Sequence, residues 1–140
     1  MKIYLAGSSD PAQMERVKLW SARLTEAGWQ VVSTWVANIE RAGAGNPRNA
    51  SQDLRRRWSS NCLAEVRRAD ALWLLVPPPD VATAGAWVEL GTAYESARTI
   101  VCSGDTRRSI FTALGHEEEH DEDAFRWLQA AFDVRPGRLR

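Results

Sequence analysis

Six consecutive apolar residues, ALWLLV at positions 71–76, run without interruption into three prolines. A run this short and this uniformly apolar has no face to offer to water. As a strand it must be covered on both sides, the condition of a central strand in a parallel sheet. The prolines end it, because they bring no backbone donor to a ladder. The rest of the chain repeats the pattern. KIYLAG at 2–7 is a short apolar run leaving through Gly7, QVVST at 30–34 reads as a second strand, and TIVC at 99–102 as a fourth. Residues 109–114 are expected to add a short fifth.

Helical spacing fills the intervals. From Pro11, the residues Met14, Val17, Trp20, Leu24 and Ala27 recur on one stripe, and Gly28 supplies the stop. Leu54, Trp58, Cys62 and Val66 line a second helix with Ser51 as its N-cap. GAWVELGTAYESA at 85–97 is a third, and Phe125, Leu128 and Phe132 mark a last one whose acids at 121–123 suit the positive end of the helix dipole. Residues 35–50, rich in Gly, Asn and Pro without a sustained period, read as a long loop. Strands alternating with helices predict an α/β fold: a doubly wound, flavodoxin- or Rossmann-like parallel sheet of four to five strands with helices on both faces. At 140 residues the chain suits one domain spanning 1–140.

Composition narrows the partners. Eighteen basic and eighteen acidic residues cancel, so no global field points to nucleic acid or a membrane, and Arg55, Arg56, Arg57, Arg67 and Arg68 read as solvated helix faces. Cys62 and Cys102 form no disulfide framework and lack metal-ligand spacing. With too short an apolar start for a signal peptide, the expected setting is the cytoplasm. His116 and His120, four apart among acids, superficially suggest a metal. The acids there read instead as a solvated helix start, and no metal or cofactor is expected. Seven tryptophans are many for this length, and some are expected to line a pocket or a subunit contact.

In doubly wound sheets ligands bind beyond the carboxyl ends of the strands, where the strand order reverses. That rim gathers Gly7, Ser8 and Ser9 after the first strand, residues 77–85 after the third, and the long loop containing Trp35. Tyr4 lies within the first strand. TAGAWVELGTAY at 83–94 places one carboxylate, Glu89, near the amino end of an otherwise apolar helix. The helix dipole favours its ionised form. Spacing alone leaves two roles open: a nucleophile, base or sugar ligand at a pocket rim, or a cap or salt-bridge partner. Thr83 and Gly85 before it can turn a hydroxyl and free backbone N–H groups toward an anion. Tyr4 is either a partner for a carboxylate or a core residue, and Trp35 either stacks on a base or covers the core.

Three stretches, KIYLAGSS, RRADALWLLVP and GAWVELGTAYESARTIV, together resemble the nucleoside 2-deoxyribosyltransferases and the related 2′-deoxynucleoside 5′-monophosphate N-hydrolases, over roughly residues 2–102. The resemblance implies that Glu89 is the nucleophile that attacks C1′ of deoxyribose and expels the base. A deoxyribosyl-enzyme ester then passes to another base or to water with retention, and Tyr4 holds the glutamate. Glycosyl transfer through an oxocarbenium-like state, trapped by a carboxylate, has this form. The resemblance also implies sugar or phosphate contacts for Ser8, Ser9 and Asp10, a 5′-phosphate role for Thr83 as in the hydrolase branch, and a homodimer or higher homo-oligomer.

One position departs from the pattern. Both branches carry an aspartate eight residues before the aspartate of the AD pair, where it assists the leaving base. Counting back from Asp70 reaches Cys62. A thiol is a poor general acid, and losing that help costs on the order of a hundredfold to ten-thousandfold in rate. Asp53, Glu65, Asp80 and His116 are the conceivable replacements. Asp70 itself reads as structural. The rival reading is a catalytically weak nucleotide-binding or sensing protein that keeps the fold and pocket. A third is an interaction protein whose tryptophans serve a partner.

Overall fold

The computed structural model describes residues 1–43 and 46–134. Five strands, β1 (Lys2–Ala6), β2 (Gln30–Val31), β3 (Ala71–Val76), β4 (Thr99–Gly104) and β5 (His116–Glu118), form one sheet in the order β2-β1-β3-β4-β5. Every pairing in it is parallel. Five α-helices accompany it: α1 (Pro11–Glu26), α2 (Trp35–Ala42), α3 (Gln52–Arg68), α4 (Ala84–Glu95) and α5 (Asp121–Ala131). No helix among the described residues is long and apolar enough to cross a membrane.

Side chains alternate across each strand, and the two sets meet different helices. Ile3, Leu5, Trp73, Leu75 and Val101 pack against Val17, Trp20 and Leu24 of α1 and Ala124 and Leu128 of α5. Tyr4, Ala6, Leu72, Leu74, Ile100 and Cys102 face Val66 of α3 and Ala86, Leu90 and Ala93 of α4. Both layers are needed because all six residues of β3 are buried. Asp10 caps α1 by accepting from the Ala12 N–H, with Pro11 preset for the first turn, and the Ser51 hydroxyl accepts from Leu54 N–H at the start of α3.

Three segments differ from the expectation. The supposed loop at 35–50 contains α2 and a 3-10 turn, Pro47–Asn49. Trp35, Val36 and Ile39 give α2 an apolar face two turns long, too short to stand out beside the glycines, and Gly43 closes it at φ +60°. Ala44 and Gly45 lie outside the described residues. β2 pairs only at Gln30 and Val31, because Thr34 gives both its N–H and its hydroxyl to the Glu65 carboxylate and draws the chain off toward α3. Residues 109–114 are not a strand. The 3-10 turn Ile110–Leu114 forms there, as the Ser109 hydroxyl accepts from Phe111 N–H and the Thr112 hydroxyl donates to the carbonyls of Thr106 and Ser109. The fifth strand is instead His116–Glu118, an edge strand blunted by charge.

The acids at 121–123 do more than complement a dipole. Asp121 accepts from Arg16 Nε at 2.7 Å, Trp20 Nε1 at 2.9 Å and Ser103 Oγ at 2.7 Å, and Ser103 in turn accepts from Trp73 Nε1 at 2.8 Å. Arg16 also donates to the Val76 carbonyl, so one carboxylate ties α1, α5, β3 and β4 together. Burial pushes the Asp121 carboxyl up, but its bonds from Arg16, Ser103 and Trp20 outweigh that and hold it below its ordinary value. A depressed folded-state value means stability that is present at neutral pH and lost as pH falls through that value. Asp121→Asn should therefore lower unfolding stability by about 3 kcal/mol at pH 7. In denaturant titrations the gap to wild type should close as the pH is taken below the ordinary carboxylate range.

Candidate active site

The sheet winds one way from β1 to β2 and the other way from β3 to β4 and β5, which opens a crevice at the carboxyl ends of β1 and β3. A cavity of about 860 Å³ occupies it. Its rim is the turn after β1 (Gly7, Ser8, Ser9, Asp10) and the segment from Asp80 into the start of α4. Trp35 and Ile39 of α2, and Trp58 and Cys62 of α3, supply its apolar wall.

Glu89 reaches this cavity from the second turn of α4. Tyr4, fully buried, points to the α4 side of the sheet by strand alternation, and its hydroxyl donates to Glu89 Oε1 at 2.8 Å. The Cys62 thiol lies close enough to both to bear on their ionisation. Neither bland role foreseen for Glu89 is realised: among the described residues it caps no backbone group and pairs with no arginine. Its ionisation also differs from the dipole-based expectation. Although Glu89 keeps some contact with solvent, loss of hydration dominates and pushes its carboxyl up to about 7. The hydrogen bond from Tyr4 and the neighbouring Cys62 thiol pull the other way, and the nearby Glu65 carboxylate adds to the rise.

The anion-ready end of the cavity lies at the start of α4. Thr83 is the N-cap residue but does not cap the helix with its side chain. It is only 6% exposed, and its hydroxyl has no hydrogen-bond partner among the described residues. The Thr83 hydroxyl and the first N–H groups of α4 are donors at this end of the cavity. Gly85 next to it is open, with no atom within 4 Å of where a Cβ would stand. Ser8 is committed to the scaffold: its hydroxyl donates to the Ala82 carbonyl at 2.6 Å and accepts from Asp10 N–H, bracing the two rim segments. Ser9 is exposed at the rim.

Trp35 covers the core, and it also lines the cavity. Its ring packs on the core from both sides of the sheet, and its Nε1 donates to the Leu5 carbonyl at 2.9 Å. Met14, Ile39, Arg48 and Trp58 also line it and were not foreseen. Trp58 carried a signal, standing one helical turn before Cys62 on the same stripe. Arg48 carried none, because only the fold of residues 46–49 brings it there.

Of the conceivable replacements for the missing aspartate, three are elsewhere. Asp53 is exposed and outside the cavity, facing Arg56 at 3.7 Å. Glu65 is buried with its oxygens taken by Thr34. His116 stacks on Trp127 with ring centroids 4.3 Å apart and bonds Glu118. Asp80 alone of the four lines the cavity, on its exposed rim. Asp70 accepts from the Lys2 N–H at 2.7 Å, joining the starts of β1 and β3. No group of three or more His, Cys, Asp or Glu among the described residues is arranged to hold a metal.

A carboxyl raised by burial makes a stability statement with a definite sign. Between the ordinary glutamate value and about 7 the unfolded chain loses its proton while the folded chain keeps it, so stability falls across that window as pH rises. In denaturant titrations Glu89→Gln should match wild type in unfolding free energy near pH 4.5 and exceed it above pH 7, by on the order of 1–3 kcal/mol.

No family model matches the chain, and no curated protein sequence does. Solved structures do. A 2-deoxyribosyltransferase from Bacillus psychrosaccharolyticus matches with a TM-score of 0.69 at 23% identity, over 97% of this chain and 98% of that one. A CMP N-glycosidase from Clostridium botulinum matches with a TM-score of 0.58 at 14% identity, over 93% of this chain and 99% of that one. Across almost its whole length, then, the chain has the nucleoside deoxyribosyltransferase fold.

Proposed function

We propose that the protein is an enzyme that cleaves the N-glycosidic bond of a 2′-deoxynucleoside or its 5′-monophosphate through a covalent deoxyribosyl-Glu89 intermediate, and passes the sugar to a base or to water. The observation that carries the reading is Tyr4 holding Glu89 at the cavity, with the free hydroxyl of Thr83 at its other end. The Glu89 carboxylate attacks C1′ as the bond to the base breaks, and it stabilises the oxocarbenium-like state before forming the ester. A second displacement by the acceptor frees Glu89 and returns the original configuration. Thr83 and the N–H groups at the start of α4 suit a phosphate, which favours a monophosphate with water as acceptor. Gly85 leaves the rim open, Gly7 lets the turn after β1 close against Val17 and Leu75, Ser9 offers a further hydroxyl, and Trp35 with Trp58 provides apolar surface for a base. A cytosolic setting fits two free cysteines.

The experiment is chromatography of reactions of wild type and Glu89→Ala with each common nucleoside and 5′-monophosphate, with and without a second free base. Release of base by wild type should fall by at least about a thousandfold in the variant. The wild-type rate should climb with pH through about 7, as the nucleophile ionises. Base exchange would mark a transferase. Tight nucleotide binding without any base release would favour the second reading, a nucleotide-sensing protein, for which Cys62 in place of a carboxylic acid is the specific observation.

The reading includes self-association. Val88 (60% exposed), Tyr94 (51%) and Phe111 (54%) line one groove of about 670 Å³ on the outer face of α4, together with Leu114. An apolar patch of this kind marks an interface. Arg67 and Glu95 line the same groove without pairing with each other, which leaves opposite charges for a second copy to meet. Val88→Glu combined with Phe111→Glu should convert a dimer or larger assembly to monomer in sedimentation velocity runs.

A further inference from the structure

The departure at Cys62 has a consequence for the substrate. Building on the proposed cleavage, we infer that Cys62 makes this site selective by leaving group: the cavity holds a nucleophile but no side chain placed to protonate the departing base, so nucleotides whose base can leave as a stabilised anion are the ones turned over efficiently. Three observations carry this. The thiol lines the cavity with Glu89 and lies close enough to Glu89 and Tyr4 to bear on their ionisation. Among the described residues the other acids at the cavity stand at its rim, Asp10 accepting from Ala12 N–H as the cap of α1 and Asp80 exposed to solvent, while Glu65 lies outside it, filled by Thr34. The cavity is built for a ligand independently of the cysteine, because the buried Thr83 hydroxyl in it has no partner among the described residues.

Proton placement supports the same reading. Burial pushes the Cys62 thiol up to about 11, against the opposing effect of the Tyr4 hydroxyl, and the charges of Glu89 and Glu65 raise it further. Burial together with Glu89 and Cys62 also drives the Tyr4 hydroxyl well above its ordinary value. Both groups therefore keep their protons at neutral pH, and the bond that Tyr4 donates orients the nucleophile. Cys62 takes no part in proton transfer here. In the first step a Glu89 oxygen forms a bond to C1′, and the electron pair of the breaking C1′–N bond leaves with the base. The base takes a proton from water only after departure. In the second step water attacks C1′, the ester bond breaks, Glu89 recovers its electron pair, and the water proton goes to solvent. The strain of the first step falls on the leaving nitrogen.

The test is a leaving-group series with the whole protein: 2-deoxyribose and 2-deoxyribose 5-phosphate carrying 4-nitrophenol, which departs without a proton, against the common nucleosides and their 5′-monophosphates. Wild type is expected to favour the nitrophenyl compounds by at least about a hundredfold in kcat/KM, the low end of what general-acid help supplies. Cys62→Asp is expected to raise the natural-to-nitrophenyl ratio at least tenfold. Cys62→Ser, which can donate a hydrogen bond but not a proton, should leave that ratio near wild type. Equal rates of wild type on both compound classes would overturn the inference without needing any variant. So would an unchanged ratio in Cys62→Asp, or a selective loss of natural substrates in Asp80→Asn, which would make Asp80 the acid. Nitrophenyl release that persists in Glu89→Ala would instead defeat the proposed function itself.

Discussion

A parallel sheet that must be dry on both faces governs this molecule. Its central strand has no polar residue to turn outward, so α1 and α5 close one side and α3 and α4 the other. Covering both faces requires the chain to wind in two directions from the middle of the sheet, and the crevice between β1 and β3 follows from that winding. The same alternation that buries Ile3 and Leu5 beneath α1 sends Tyr4 to the opposite face, toward α4. The hydroxyl that meets Glu89 is therefore delivered by the packing requirement of the strand that carries it.

Two carboxylates show how environment divides structural from chemical work. Asp121 and Glu89 both lose hydration on folding. Asp121 meets a guanidinium, a hydroxyl and an indole N–H, and stays ionised as the tie between four elements. Glu89 loses hydration and, among the described residues, is met by a neutral donor, the Tyr4 phenol, with a negative neighbour in Glu65, so its carboxyl rises to about 7. Groups with opposed shifts in one fold separate the brace from the reactive candidate. A buried acid with no cation costs stability, a cost that structural carboxylates avoid and that sites with chemistry to perform commonly carry.

Much of the architecture was legible because it rests on short-range pattern. The apolar runs at 2–6, 71–76 and 99–102, the stripe of α1, the Ser51 cap and the helix bearing Glu89 all depend on residues within a few positions of one another. Tyr4, Thr83 and Glu89 could be placed at one rim from strand order and helix register. Failures came where local pattern was brief or overruled. α2 is two turns long among glycines, hydroxyl groups fold residues 109–114 into a 3-10 turn, and Glu65, thirty-one residues away, draws Thr34 off β2.

The sequence by itself determined a covered parallel sheet and the neighbourhood of its site, because alternation, helical period and capping are properties of the chain's own spacing. Only the tertiary structure decided that Glu89 is desolvated without a cation, that Thr83 keeps a free buried hydroxyl while Ser8 is used as a brace, and that Asp80 is the one cavity acid among the four considered. Each of those outcomes depends on which groups approach from distant parts of the chain and how much water they displace. Hydration and hydrogen-bond partners are set by packing, and spacing along the chain does not carry them.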